Sequence, residues 1–106
     1  DAVHGCGIQV DGISLIGGGV KSTYWRQLLA DVSGIAMNYR KGGDVGPALG
    51  AARLAQLGVS PQTPVSDICP VPELVASYEP DSALKNYYDQ RRQQFRELYF
   101  SLHSQF

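Results

Sequence analysis

Short apolar runs and two helical stripes divide the chain into alternating elements. Ile13, Leu15 and Ile16, bounded by Gly12 and Gly17, form a run with β-branched residues at its ends, which predicts a buried strand. From Val20 the period changes. Val20, Tyr24, Trp25, Leu28, Leu29 and Val32 recur at helical spacing, while Lys21, Arg26, Gln27 and Asp31 fall mostly between them, so an amphipathic helix is expected with Gly34 as its left-handed stop. Beyond that glycine, Ile35, Met37 and Tyr39 alternate with Ala36, Asn38 and Arg40, the period-two signature of a second strand. Strand, helix and strand in so short a span predict a βαβ unit with parallel strands and a right-handed crossover, so the fold class is α/β.

A second helix follows in GGDVGPALGAARLAQLG, with Pro47 near its start, Gly58 just past its end, and Asp44 or Gly46 as cap. Its small residues, Gly46, Ala48, Gly50, Ala51, Ala52 and Ala55, suit close approach of another backbone. Helix propensity alone would account for the alanines, but not for Gly50. Five of the six prolines fall between Val59 and Asp81, so residues 59–81 read as a connector. Ser82 then precedes a final helix over 82–106, on which Leu84, Tyr87, Tyr88, Arg91, Phe95, Leu98, Tyr99 and Leu102 share a broad face. Those aromatics are read as packing rather than as a platform for bases. Two strands cannot bury both faces of a sheet, so exposed apolar surface is expected, with self-association, as a homodimer, as a consequence.

Composition narrows the function. The 106 residues are 43% apolar and 18% charged with a formal charge of −1, which suits one globular domain or part of one and offers no basic field for nucleic acid or an anionic membrane. The apolar runs fall far short of the roughly 20 residues that span a bilayer, and no signal-peptide pattern opens the chain, so a soluble cytoplasmic protein is expected. Cys6 and Cys69 are distant and lack metal-ligand spacing, and are read as free thiols; His4 and His103 are equally isolated. The chain opens on Asp1 rather than Met, and DAVHGCG reads as the end of a helix whose beginning is absent.

The segment that carries chemistry is Gly17-Gly18-Gly19-Val20-Lys21-Ser22, between a strand and a helix N-terminus. Glycines leave room for a ligand to touch the backbone, and the unpaired N–H groups and positive dipole end of the helix favour an anion. The segment matches neither the GxxxxGK[ST] phosphate loop nor the GxGxxG dinucleotide fingerprint, so tight helix–sheet packing remains the alternative to nucleotide contact. Lys21 is either a phosphate ligand or a solvated lysine, and Ser22 either a ligand contact or a helix cap. No catalytic triad, carboxylate pair or metal cluster is legible: the predicted catalytic and metal residues are none.

The stretch ISLIGGGVKSTYWRQLLADVSG followed by GGDVGPALGAARLAQLG resembles the C-terminal region of the FGGY carbohydrate kinases, in particular the bacterial members that act on D-xylulose. The likeness runs from about Ile13 to Gly58, and more weakly into RRQQFRELY. It implies that residues 1–106 are the C-terminal part of the second, nucleotide-facing domain, a partial actin-like or ribonuclease-H-like ATPase domain in which the βαβ unit is followed by two helices. It further implies transfer of the γ-phosphate of ATP, with Mg2+, to a sugar hydroxyl, D-xylulose giving D-xylulose 5-phosphate. Gly17, Gly18 and Gly19 would lie against the adenosine and inner phosphates, with Ser22 near the adenine. The Ala-rich helix corresponds to a segment near the domain hinge. The catalytic aspartate, the sugar contacts and the first phosphate loop of that family belong to other parts of the chain, so the partners expected are the remainder of the parent kinase, ATP and a pentulose. The alternatives are another FGGY kinase, for a ribulose or gluconate, or a non-catalytic α/β interaction module.

Overall fold

In the computed structural model, which describes residues 5–105, the first strand β1 (Ile13–Leu15) pairs in parallel with β2 (Met37–Arg40), Ile13 opposite Met37 and Leu15 opposite Tyr39. Between them runs α1 (Thr23–Ser33). It ends where the sequence predicts: Gly34 sits at φ 68°, and its N–H reaches Ala30 O at 2.8 Å. The predicted parallel βαβ unit is thus present. The helix end expected at DAVHGCG lies largely outside the described residues, as does His4.

Helix α2 (Gly46–Val59) carries Pro47 in its first turn, but it continues through Gly58 to a cap at Ser60. Neither Asp44 nor Gly46 caps it; Val45 holds that place without a side-chain bond. A Cβ on Gly50 would meet nothing within 4 Å, so no backbone among the described residues makes the close approach its composition suggests.

The stretch read as a connector contains more structure than its prolines indicate. A short helix, α3 (Val65–Ile68), starts directly after Pro64, and β3 (Leu74–Tyr78) fits between Pro72 and Pro80. Strand β3 pairs antiparallel with β2, giving a three-stranded sheet of order β1-β2-β3 with an irregularity between Tyr39 and Arg40. Prolines at both ends do not disturb a ladder that lies wholly between them. Asp81, rather than Ser82, opens the last segment, accepting from Ala83 N at 2.9 Å ahead of a 3-10 turn (Ser82–Leu84) and α4 (Lys85–Leu102).

Val20, Ala30, Met37 and Ile68 are the buried apolar residues among those described, Ala30 on α1, which packs on β2, and Ile68 on α3, which packs on α2. The radius of gyration is 18.0 Å, with extents of 54 × 34 × 28 Å. A compact domain of this length would have a radius of about 13 Å. Much of α4 is open: Phe95 is 71% exposed, and Leu98, Tyr99 and Phe100 are more than half exposed. The expected exposed apolar surface is therefore observed. No helix among the described residues is long and apolar enough to cross a membrane.

Candidate functional site

Strands β1 and β2 run the same way, so their carboxyl ends open at one edge of the sheet, the usual place for a ligand in such folds. Each is followed by a glycine-rich turn, and a hydrogen bond from Gly17 N–H to Gly43 O at 2.8 Å joins the two. Gly43 is buried: a Cβ there would lie 2.9 Å from Leu15 O and 3.1 Å from Arg40 O, so the contact requires glycine. The two turns act as one unit.

Gly17 adopts φ 96° and ψ 176°, a region in which essentially only glycine is found. From it a 3-10 turn (Gly18–Lys21) forms, with Val20 N–H bonded to Gly17 O and Ser22 N–H to Gly19 O, each at 3.2 Å. The sequence periodicity places Val20 inside the helix; instead it is the buried anchor of this turn, 3% exposed. Gly18 and Gly19 form the rim. A Cβ on Gly18 would meet nothing within 4 Å, whereas one on Gly19 would sit 3.4 Å from Trp25 Cδ1. The open side of Gly18 is therefore free for a ligand.

Ser22 is the N-cap of α1, its Oγ accepting from Trp25 N–H at 3.2 Å. Its hydroxyl proton can still be donated outward, because the cap uses only the oxygen's acceptor capacity. The positive end of the α1 dipole lies directly behind it and favours an anionic ligand. Lys21 is paired with Asp44 of the second turn at 3.7 Å, and Lys21 is 70% exposed, so the pair adds only about 0–1 kcal/mol.

Arg26 departs most from its sequence reading. It falls among the polar positions of α1, yet it is 9% exposed, while Tyr24 and Trp25, assigned to the apolar stripe, are 74% and 46% exposed. The guanidinium donates through Nε to Val20 O and through Nη1 to Tyr78 Oη at 2.9 Å, and lies 3.7 Å from the Tyr39 ring centroid. An arginine can be buried in this way because its stem is apolar and its planar head stacks on aromatic faces. No local signal marks it, since Tyr78 is 52 residues away. Gly43 had a clearer signal, a second glycine pair after the second parallel strand.

Beside the second turn, a cleft of about 400 Å3 is lined by Leu15, Gly43, Leu49, Cys69 and Val71. Arg40 and Arg53 close its rim by donating to the carbonyls of Pro72, at 2.9 Å, and Pro70, at 3.3 Å. These bonds tie the proline-rich stretch to the end of β2 and to α2. Among the described residues, no cluster of three or more His, Cys, Asp or Glu could hold a metal ion, and Cys6 and Cys69 are free.

Residues 1–59 match the C-terminal domain of the FGGY family of carbohydrate kinases. Over 102 residues, 96% of the chain, the sequence is 51% identical to a xylulose kinase of Escherichia coli K12 and 43% identical to one of Klebsiella pneumoniae. A crystal structure described as a xyloylose kinase from Brucella ovis superposes with a TM-score of 0.77 at 31% identity, covering 99% of this chain and 22% of that one. The chain spans about one fifth of the length of these relatives, 21% of each curated protein.

Proposed function

The chain belongs to the FGGY family of carbohydrate kinases, and from that membership we propose that it forms the nucleotide-facing C-terminal part of an ATP-dependent kinase converting D-xylulose to D-xylulose 5-phosphate. The observation that carries the nucleotide half is the glycine rim at the carboxyl ends of β1 and β2, open at Gly18 and backed by the start of α1. In this reading Gly17, Gly18 and Gly19 lie against the adenosine and inner phosphates and Ser22 lies close to the adenine. The sugar rests on the two relatives described as xylulose kinases.

In the reaction the γ-phosphoryl group leaves ATP and joins a sugar hydroxyl, the hydroxyl proton being lost and ADP released. Such transfers depend largely on positioning and charge stabilisation. The role of this chain is to hold the nucleotide. The base that takes the hydroxyl proton and the sugar contacts belong to the remainder of the parent chain. Mg2+ neutralises phosphate charge when bound with ATP, and the described residues offer no ligand cluster for it. The parent enzyme is placed in the cytoplasm, with ATP, a pentulose and its own remaining domains as partners, and with a homodimer as its expected assembly.

The test is phosphorylation by the full-length parent, supplied with Mg-ATP and a panel of D-xylulose, L-ribulose and D-gluconate. The expected result is a kcat/KM for D-xylulose at least about tenfold above the others, a difference of about 1.4 kcal/mol in transition-state binding. A higher value for gluconate or ribulose would reassign the sugar, and no phosphorylation of any of them would remove the kinase reading.

A further inference from the structure

The only buried charged residue among those described is Arg26, and its guanidinium bonds Val20 in the turn that carries the glycine rim. Its side chain joins four pieces of the fold. It starts from α1, donates to the carbonyl of Val20 in the 3-10 turn, stacks on Tyr39 of β2 and donates to the hydroxyl of Tyr78 on β3. Val20 N–H in turn reaches Gly17 O, so the arginine holds the same turn whose outer edge is Gly18 and Gly19.

The charge itself is unusual. None of the ion pairs among the described residues joins Arg26 to a carboxylate. A buried cation is costly when nothing compensates it, and at 9% exposure little of this side chain is open to a partner from elsewhere. Backbone carbonyl, phenol and ring face supply partial negative charge, but none cancels a full positive one. The net field therefore favours an anion at the adjoining rim. A leucine or methionine at this position would fill the core without that field and without the bond to Val20 O.

We propose that Arg26 is a positioning residue for the nucleotide, fixing the Gly17–Lys21 turn through Val20 and placing an uncompensated positive charge against the turn whose rim receives the phosphates. The proposal rests on the nucleotide reading of that rim, and it assigns a role to a side chain that need not touch ATP. Tyr39 and Tyr78 hold the arginine in place.

Steady-state kinetics of the full-length parent kinase test this with Arg26→Met, Arg26→Lys and Tyr78→Phe. Arg26→Met is expected to raise KM for ATP about tenfold while KM for the sugar stays within about twofold, because the lost interactions act on one substrate only. Arg26→Lys keeps the charge without the two-pronged hold and should fall between, at about threefold. Tyr78→Phe releases one prong without removing bulk and should also raise KM for ATP about threefold. A residue that only fills the core would lower stability and leave the two KM values unchanged, which overturns the proposal. If Arg26→Met does not fold, an unchanged KM for ATP in Tyr78→Phe overturns it equally. Gly18→Val separates this failure from failure of the nucleotide reading. If Gly18→Val raises KM for ATP while the Arg26 and Tyr78 variants do not, only the arginine's role is lost; if Gly18→Val also has no effect, the nucleotide reading falls with it.

Discussion

Replacing Gly43 with alanine places a methyl group where the fold has no room. The new Cβ would lie 2.9 Å from Leu15 O and 3.1 Å from Arg40 O, both backbone atoms at the ends of paired strands. Carbon and oxygen in favourable contact stand at about 3.3 Å or more, so the turn must retreat by about 0.4 Å. That retreat pulls Gly43 O away from Gly17 N–H, a bond of 2.8 Å. Overpacking costs about 2 kcal/mol and a weakened hydrogen bond about 1, while the stiffer unfolded chain returns about 0.7. The net loss is about 2 kcal/mol, or about 30-fold in a local opening equilibrium. Amide hydrogen exchange of the full-length parent reads this directly, since protection at Gly17 and along β1 should fall by about that factor. Gly58→Ala is the control, because its Cβ meets nothing within 4 Å inside α2 and the change should stabilise the helix by up to about 1 kcal/mol. Unchanged protection at Gly17 in Gly43→Ala would refute the coupling of the two turns.

Three further outcomes follow from individual contacts. Ser22→Ala should cost about 1 kcal/mol as a lost cap, whereas Ser22→Gly costs only a few tenths; a three- to tenfold weaker ATP affinity in Ser22→Gly, by calorimetry, would isolate the ligand role of the hydroxyl. Gly50→Ala gains about 1 kcal/mol in helix propensity, so a lower melting temperature in the parent kinase would show that another backbone approaches α2 closely there. Hydrogen bonds from Lys85 and Arg92 hold the Asp89 carboxyl below its ordinary value of 3.8, so its folded form binds a proton less readily than its unfolded form. Its stabilising contribution is present above that value and is lost as pH falls through the lower folded one. Acid unfolding of α4, followed by circular dichroism, should therefore show Asp89→Asn and the natural protein converging only below pH 3.8.

The parts of the fold that rest on local signals were legible. Gly34 ends α1 because only a left-handed residue closes that turn, and the alternation through Met37 and Tyr39 marks β2. Strand β3 was obscured because the prolines around it dominate the local reading, although Leu74 to Tyr78 contains none. The glycine rim was visible as a loop between strand and helix. Its link to Gly43 was not, because that link depends on two turns meeting at a sheet edge. Helical periodicity misassigned α1 for a related reason. It ranks Arg26 as polar and Trp25 as apolar, but the rings of Tyr39 and Tyr78 make a place for a guanidinium that no local pattern reveals.

The central claim is that nucleotide occupies the open side of the glycine rim, and Gly18→Val addresses it most directly. A Cβ at Gly18 meets nothing within 4 Å among the described residues, so the extra bulk of valine is expected to compete with a ligand rather than with this fold. Titration of Mg-ATP into the full-length parent should show affinity at least about tenfold weaker in the variant, at a melting temperature within a few degrees of the natural protein. Equal affinity in the two proteins would contradict the account.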